Sequence, residues 1–442
     1  MSAREYGDMG PGVDEGHDPA DDYQAGYDFE GGCELDIDGD DDCAALEASV
    51  AADVRADTDA FISWSAIAEP ADFPACWLVY MLGPAQALAW VRLASVDRSI
   101  ARAALRRFDV PEIAEAAVKA SEKWIARLDD AEPEPHRERA STAGIRIVTR
   151  HDPEWPVALN DLPMTAPFAL WVRGNGHVAN LWHRSVAVVG ARASTSYGNH
   201  MATSLSAGLG DHGWTVISGG AYGIDGAAHR AALGAASPTV AVMAGGVDRL
   251  YPAGNADMLE AVMERGVVLS EVPPGFAPHR SRFLTRNRLI ATAGATVVVE
   301  AAYRSGALST ARHAFLASRT VGAVPGPVTS ASSTGCHALI RDGEATLVTC
   351  AADVLELAQP IGAPVPVQGS LWDDVGNGAN RPDFGTPHER QAYDAIGPRG
   401  ATVAVVARSA GLTLAEARVA LGGLELAGLA RHDGPNWKKT PA

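Results

Sequence analysis

Lysine is nearly missing from this chain. Between residues 181 and 350 there is none, against about 13 arginines and about 10 acids. Every cation in that stretch is therefore a guanidinium. Such a planar fork holds phosphate or carboxylate through paired hydrogen bonds rather than as a point charge. A base composition that disfavours lysine codons explains the count equally well, so where the arginines stand matters more than their number. Long apolar runs are missing too, which excludes a membrane-spanning helix of about 18 or more residues. The leading Met1-Ser-Ala-Arg-Glu5 has no apolar segment and does not read as a secretory signal. The five cysteines, Cys33, Cys43, Cys76, Cys336 and Cys350, are scattered and form no C-x-x-C. Neither a zinc site nor a disulfide framework is expected, and a reducing cytoplasm fits. G-x-x-x-x-G-K-[ST], G-x-S-x-G and H-E-x-x-H are all absent. No ATP hydrolysis, serine nucleophile elbow or metal is therefore expected, and no cofactor. His229, His313 and His337 lie in apolar helical segments and read as structural.

What is present divides the chain. Its 442 residues suffice for two or three domains, and a hydrophobic fraction of 47% can fill their cores. The net charge of −18 argues against a nucleic-acid partner only at first sight. Residues 1–50 hold about 16 acids and one arginine, roughly −15, leaving the remainder near −3. Residues 1–44 are acidic, rich in Gly, Asp and Tyr, and without periodicity; the composition predicts disorder. Such a tail is either an inert solvated segment or a competitor for basic surfaces.

Residues 45–140 read as a helical domain, with Phe61, Trp64, Ile67, Leu88, Val91 and Ile100 at helical spacing. Leu82-Gly83-Pro84 resembles a helix-hairpin-helix turn offering N–H groups to phosphates, or is an ordinary helix connection. Residues 141–357 form the core. Short strands are expected near 145–148 and 168–172. Six more, at 185–190, 214–218, 239–244, 267–271, 295–300 and 321–325, alternate with helices. That rhythm predicts an α/β fold, an extended Rossmann-like, doubly wound and mostly parallel sheet. Residues 358–386 read as a Pro/Gly-rich linker. Residues 387–442 suggest three helices and a β-wing, a winged-helix pattern whose third helix starts at an N-cap, Thr413, and carries only Arg418 as a cation.

Four turns carry candidate chemistry. The first, Val186-Ala-Val-Val-Gly190-Ala191-Arg192, runs from a buried strand into a helix, where anions bind. Arg192 occupies the position where a dinucleotide fingerprint needs glycine, so the turn suits phosphate held by an arginine. Ser194, Tyr197 and Gly198 follow it. The second is Ser218-Gly219-Gly220-Ala-Tyr222-Gly223-Ile-Asp225, whose glycines allow close backbone approach and whose Asp225 is expected to cap the next helix. The third, Arg280-Ser-Arg282-Phe283-Leu-Thr-Arg286-Asn287-Arg288, interleaves cations with an aromatic and an amide, as single-stranded nucleic acid requires. A solvated helix start with Phe283 turned inward is the alternative. The fourth is Glu300-Ala-Ala-Tyr-Arg304-Ser305-Gly306, where Glu300 is read as a general acid or base, or as a carboxylate orienting an arginine.

In this order these motifs, with Arg286-Asn-Arg288-Leu-Ile290, Pro325-Gly-Pro327 and Gly335-Cys-His337, resemble the DNA-processing protein A family (DprA, also called Smf). The match covers residues 144–357 and extends to both flanking domains. The resemblance implies a non-enzymatic protein that binds single-stranded DNA, protects incoming DNA in natural transformation, loads the RecA recombinase and self-associates as a homodimer. It places Arg192 as the DNA-contacting arginine and Phe283, Asn287 and Arg288 in the DNA-binding segment. An apolar segment with His337, Leu339, Ile340 and Leu347 is the expected dimer contact. One departure is Tyr222, where the family often has a lysine; the charge is lost and a stacking face gained. Two other readings stand beside this one. One is a Rossmann-like enzyme cleaving nucleotide N-glycosidic bonds, although its Pro-Gly-Gly-x-Gly-Thr loop is missing. The other is a winged-helix transcription regulator.

Overall fold

The computed structural model describes residues 40–162, 164–359, 384, 386–397, 400–434 and 436–440, with side chains from residue 52 onward. The acidic tail up to residue 39 and most of the expected linker lie outside them. The described chain starts in helix α1 (Asp40–Ile67), slightly earlier than composition predicts. It continues through α2 (Phe73–Leu82), α3 (Pro84–Val96), α4 (Arg98–Leu105) and α5 (Pro111–Ile125). The chain separates into two compact units, one of residues 1–68 and 77–133, the other of residues 69–76 and 134–442. The first unit is held by tryptophans. Trp64 and Trp124 meet edge to face at 5.4 Å. Trp64 Nε1 donates to Pro84 O and Trp90 Nε1 to Ala101 O. Gly83, with φ +79°, makes the bend between α2 and α3, and its N–H is spent on Val79 O. Pro84 has no N–H to give. The turn joins α2 to α3, and neither Gly83 nor Pro84 has a free N–H there.

The second unit opens with α6 (Pro133–Thr142), β1 (Arg146–Val148), β2 (Leu170–Arg173) and α7 (Val178–His183). Strands then alternate with helices: β3 (Ser185–Val189), α8 (Ser196–Asp211), β4 (Thr215–Ser218), α9 (Ile224–Gly234), β5 (Thr239–Val242), α10 (Ala256–Arg265), β6 (Val267–Ser270), α11 (Arg280–Ile290), β7 (Ala295–Val298), α12 (Gly306–Leu316) and β8 (Thr320–Ala323). Next come α13 (Thr334–Arg341), β9 (Thr346–Leu347) and α14 (Ala351–Ala358). Nine strands form one sheet in the order β1-β2-β6-β5-β4-β3-β7-β8-β9. It is parallel except that β2 pairs antiparallel with β1 and with β6. Valine-rich strands buried on both faces suit such a sheet. Along β3, Ala187 and Val189 face a core with Leu289 and Trp182, while Val186 and Val188 face Leu205, Leu209 and Ala228.

Topology fixes the site. From β3 the chain steps outward through β4, β5 and β6, then crosses back to β7 on the other side of β3 and steps away through β8. The loops leaving β3 and β7 therefore diverge around a crevice at the carboxyl ends of the strands, the place where such sheets bind ligands.

The C-terminal part has its own core, including Ala392, Val406, Leu421, Leu424 and Trp437. Three helices, α15 (Pro387–Ala395), α16 (Val403–Ala410) and α17 (Leu414–Leu426), precede an antiparallel hairpin of β10 (Ala430–Asp433) and β11 (Asn436–Lys439). Gly411, at φ +69°, ends α16, and Thr413 caps α17 in a reciprocal box with Glu416. No helix among the described residues is long and apolar enough to cross a membrane.

Candidate nucleic-acid interface

The loop after β3 is shaped by its neighbours. A Cβ on Gly190 would stand 2.6 Å from the Ile224 side chain and 3.0 Å from Glu300 O. Ala191 N–H donates to that same Glu300 O at 2.7 Å. Thr195 caps α8, accepting from Gly198 N–H, while its own N–H and hydroxyl donate to the two Glu300 carboxylate oxygens at 2.9 and 2.6 Å. Ser332 Oγ adds a third donor at 3.3 Å. Glu300 is buried, and Gly198 must be glycine because a Cβ there would lie 2.1 Å from the carboxylate. This corrects the expectation for Glu300. With both oxygens accepting from Thr195 it is a tie between the β3 and β7 loops, and the donors on it are Thr195 and Ser332 rather than an arginine. The tie leaves Arg192 exposed at the lip of the crevice, its guanidinium 5.0 Å above the Phe283 ring. Beside it Ser194 Oγ donates to Asn199, and the Tyr197 hydroxyl donates to Pro325 O at 2.5 Å. Burial, with Glu300 nearby, raises the Tyr197 phenol above its usual range.

The loop after β4 is bound from beneath. Asp225 is not the helix cap that its position suggests. Gly223 caps α9, because φ is +79° and a Cβ would stand 2.2 Å from Ala191 O. Asp225 is buried in the first turn and accepts from Gly219 N–H and Ala221 N–H at 3.2 and 3.4 Å, folding the loop over the helix start. Burial raises its carboxyl above the usual range, opposed by Arg286. Arg286 donates to Gly219 O at 3.1 Å and also to Val242 O. Burial brings its guanidinium down to about 10, with Asp225 pulling the other way. Asn255, also buried, donates to Gly220 O and Ala221 O at 3.0 Å each. The loop thus presents Tyr222 half exposed, its hydroxyl accepting from Gly254 N–H at 3.2 Å.

The arginine-rich helix α11 differs most from expectation. Arg282 is buried, pairs with Glu69 at 2.9 Å and lies over the Phe276 ring. Arg288 is buried, pairs with Glu271 through both nitrogens at 2.7 and 2.5 Å, and donates to Thr165 O. Asn287, nearly buried, donates to Gly306 O at 3.3 Å. Arg282, Arg286 and Arg288 are therefore turned to protein partners and brace the loops; of this helix's four arginines only Arg280 is exposed. Phe283 is neither fully buried nor free. It lies between Arg192 and the exposed Tyr251, whose ring centroid is 5.8 Å away. In the β7 loop Arg304 is exposed, and Ser305 caps α12 by accepting from Ala307 N–H. A crevice of about 160 Å³ opens between Gly190, Arg192, Ala221, Phe283, Asn287, Ser305 and Gly306. Arg192 also stands at the end of a groove of about 820 Å³ between α8 and α9, with Ser194, Asn199 and Arg230.

Two contributors carry no sequence signal of their own, Tyr251 and Asn255. Both sit in the loop that leaves the carboxyl end of β5, and topology alone makes that loop a candidate. Of the expected dimer residues, Leu339 is buried in the core, Ile340 packs against that core, and His337 Nε2 lies 3.0 Å from Gly326 O. Leu339 is thus a core residue rather than a surface contact. Only Leu347, on the edge strand β9, is well exposed.

Comparison with known proteins agrees with this layout. A family model described as DNA recombination-mediator protein A matches residues 146–359. The putative DNA processing protein DprA of Mycobacterium tuberculosis is 42% identical over 386 residues, 85% of this chain and 92% of that protein. Protein Smf of Escherichia coli is 36% identical over 267 residues, 59% of this chain and 69% of that protein. The X-ray structure of DNA processing protein A from Streptococcus pneumoniae superposes with a TM-score of 0.52 at 30% identity, covering 67% of this chain and 95% of that one. The sheet, the braced loops and this extent of identity together place the chain in the DNA-processing protein A (DprA/Smf) family.

Proposed function

We propose that this chain is a non-enzymatic protein that binds single-stranded DNA across the carboxyl ends of its sheet and serves DNA processing in transformation and recombination. One observation carries the reading. An exposed arginine, Arg192, is stacked on Phe283 at the strand switch point, with Tyr251 and Tyr222 exposed alongside. A cation among available aromatic faces suits a strand whose bases are unstacked, since phosphate meets the guanidinium and bases meet the rings. A duplex keeps its bases stacked and offers those rings nothing. Glu300, the natural candidate for glycosidic-bond chemistry, is occupied as a tie, which favours binding over catalysis. Family membership supports further proposals: protection of incoming DNA, loading of RecA onto it, and a cytoplasmic location. It also supports a homodimer, to which the exposed Leu347 on the edge strand β9 contributes. Sedimentation at micromolar concentration showing only monomer contradicts the dimer. We assign the C-terminal helices and hairpin to a winged helix. Its α17 exposes Leu414, Val419 and Leu426, an apolar surface suited to protein more than to phosphate.

Titration with single- and double-stranded oligonucleotides across salt tests the function. Single strands bind more tightly; equal or stronger duplex binding overturns the reading in favour of a transcription regulator. Within the same titration, Tyr222→Ala costs about 1–3 kcal/mol of single-strand binding with little change in salt slope, because a stacking face is lost and no charge. Tyr222→Lys steepens the slope by about 0.7, the value of one added phosphate contact on a single strand. A Tyr222→Ala protein that binds like wild type shows that the β4 loop does not touch DNA.

A further inference from the structure

The groove between α8 and α9 plays no part in the function just proposed, although Arg192 belongs to both it and the crevice. Helix α8 follows β3 and α9 follows β4, so both start at the carboxyl ends of the strands. The groove therefore opens at the crevice and leads away from it. Its two sides repeat at helical spacing, with Asn199, Thr203 and Ala207 along α8 and Ala227, Ala231 and Ala235 along α9. At about 1.5 Å per residue each side is about 12 Å long, several times the rise of about 3.4 Å per nucleotide in a stacked strand. A floor of alanine is low and apolar and meets sugars and bases without reading their sequence. At the far end the groove is open, since a Cβ on Gly234 would meet nothing within 4 Å.

The polar groups along the groove suit an anion. Arg230 is exposed, yet its guanidinium is held in place. Its Nη2 donates to Asn255 Oδ1 at 3.2 Å, and it lies over the first turn of α9, where a Cβ on Gly226 would stand 2.9 Å from Nη1. That bond uses one of five guanidinium N–H groups. Asn199 accepts from Ser194 through Oδ1, which leaves its amide N–H groups to donate. Among the described residues that line the groove there are two arginines and no acid, in a chain of net charge −18. The groove between α4 and α5 is the contrast. It too is lined by arginines, but Arg98 and Arg102 are spent on Glu122 and Glu115 beside them.

We propose that single-stranded DNA leaving the Arg192 crevice continues along the α8–α9 groove. Phosphates lie against Arg192 and Arg230, and sugars and bases lie over the alanine floor. The inference rests on that crevice being the single-stranded DNA site. Continuity through Arg192 and the complementary charge select a nucleic-acid strand as the occupant. Strands too short to leave the crevice gain nothing from the groove, and longer ones gain affinity without base preference.

Arg230→Ala is a poor probe, because it also releases Asn255, which braces the β4 loop. Thr203 is the better position, being exposed on α8 and lining the groove, while its exposed neighbour Ser204 does not line it. Thr203→Glu, Thr203→Arg and Ser204→Glu are made in the full-length protein. Binding of oligothymidylates of about 4 and about 16 nucleotides is followed by fluorescence anisotropy at about 50 mM salt and upward. For the longer strand, Thr203→Glu is expected to weaken binding about three- to tenfold at low salt, and Thr203→Arg to tighten it and steepen the salt slope by about 0.7. The shorter strand is expected to bind all three variants like wild type, and Ser204→Glu to leave the longer strand within about twofold. Wild-type affinity for the longer strand in both Thr203 variants overturns the proposal. Equal weakening by Thr203→Glu and Ser204→Glu reduces the effect to a general field and overturns it too. So does equal weakening of the short and the long strand by Thr203→Glu, which confines the DNA to the crevice. Failure of the wild-type protein to bind either strand overturns the DNA reading itself, a result distinct from the others.

Discussion

Arg288→Ala lowers the stability of the protein by about 3–5 kcal/mol, the cost of stranding a buried charge. The guanidinium fills three roles at once. It neutralises Glu271, whose side chain is 6% exposed, it donates to Thr165 O, and it anchors the end of α11 under the β6 loop. Removing it leaves a carboxylate in the interior with no cation beside it. Chemical denaturation monitored by tryptophan fluorescence checks this, and the double variant Arg288→Met, Glu271→Leu recovers much of the loss, because the buried charge is then removed with its partner. A stability loss below about 1 kcal/mol, combined with weaker DNA binding, identifies Arg288 as a phosphate contact instead.

Arg192→Ala acts on binding and leaves folding alone. The side chain is exposed and lies over the Phe283 face, so its loss strands no buried group. A hydrogen bond to a charged phosphate contributes about 1.5–3 kcal/mol, which corresponds to roughly 10- to 150-fold in affinity. One phosphate contact fewer reduces the salt slope by about 0.7 for a single strand. The loss should be similar for all base sequences, since phosphate carries no sequence information. Thermal melts that match wild type, together with this loss of affinity and slope, are the expected pair of results. Unchanged affinity in a folded Arg192→Ala protein removes the arginine from the interface.

Much of the fold is legible in the sequence because its cues are local. The β-branched runs at 185–190 and 295–300 end in turn residues and fold as β3 and β7. Gly411 and Thr413 punctuate the C-terminal helices by conformation and capping chemistry. The roles of the charged residues are less legible, since a charge is defined by its partner and the partner is distant. Arg282 looks like a phosphate ligand until Glu69, 213 residues away, meets it. Arg288 and Glu271 lie 17 residues apart, on different elements. Asp225 stands where a helix cap is expected, yet the close approach of the β3 loop forces glycine into the cap and releases the carboxylate to bind the loop. Leu339 has the apolar character of an interface residue, and periodicity cannot tell an outward face from one that the sheet covers. Arg192 and Phe283 are visible in sequence as separate signals, and only the folding of β3 against β7 and α11 stacks one on the other.

Photocrosslinking of the full-length protein with oligothymidylate carrying 5-iodouracil tests the central claim most directly, because the probe couples to rings that stack on it. Crosslinked peptides should contain Tyr222, Tyr251 or Phe283, and crosslinking should fall sharply in Arg192→Ala. Crosslinks confined to the C-terminal helices and hairpin, with the three ring-bearing peptides untouched, would place the DNA elsewhere and contradict the account.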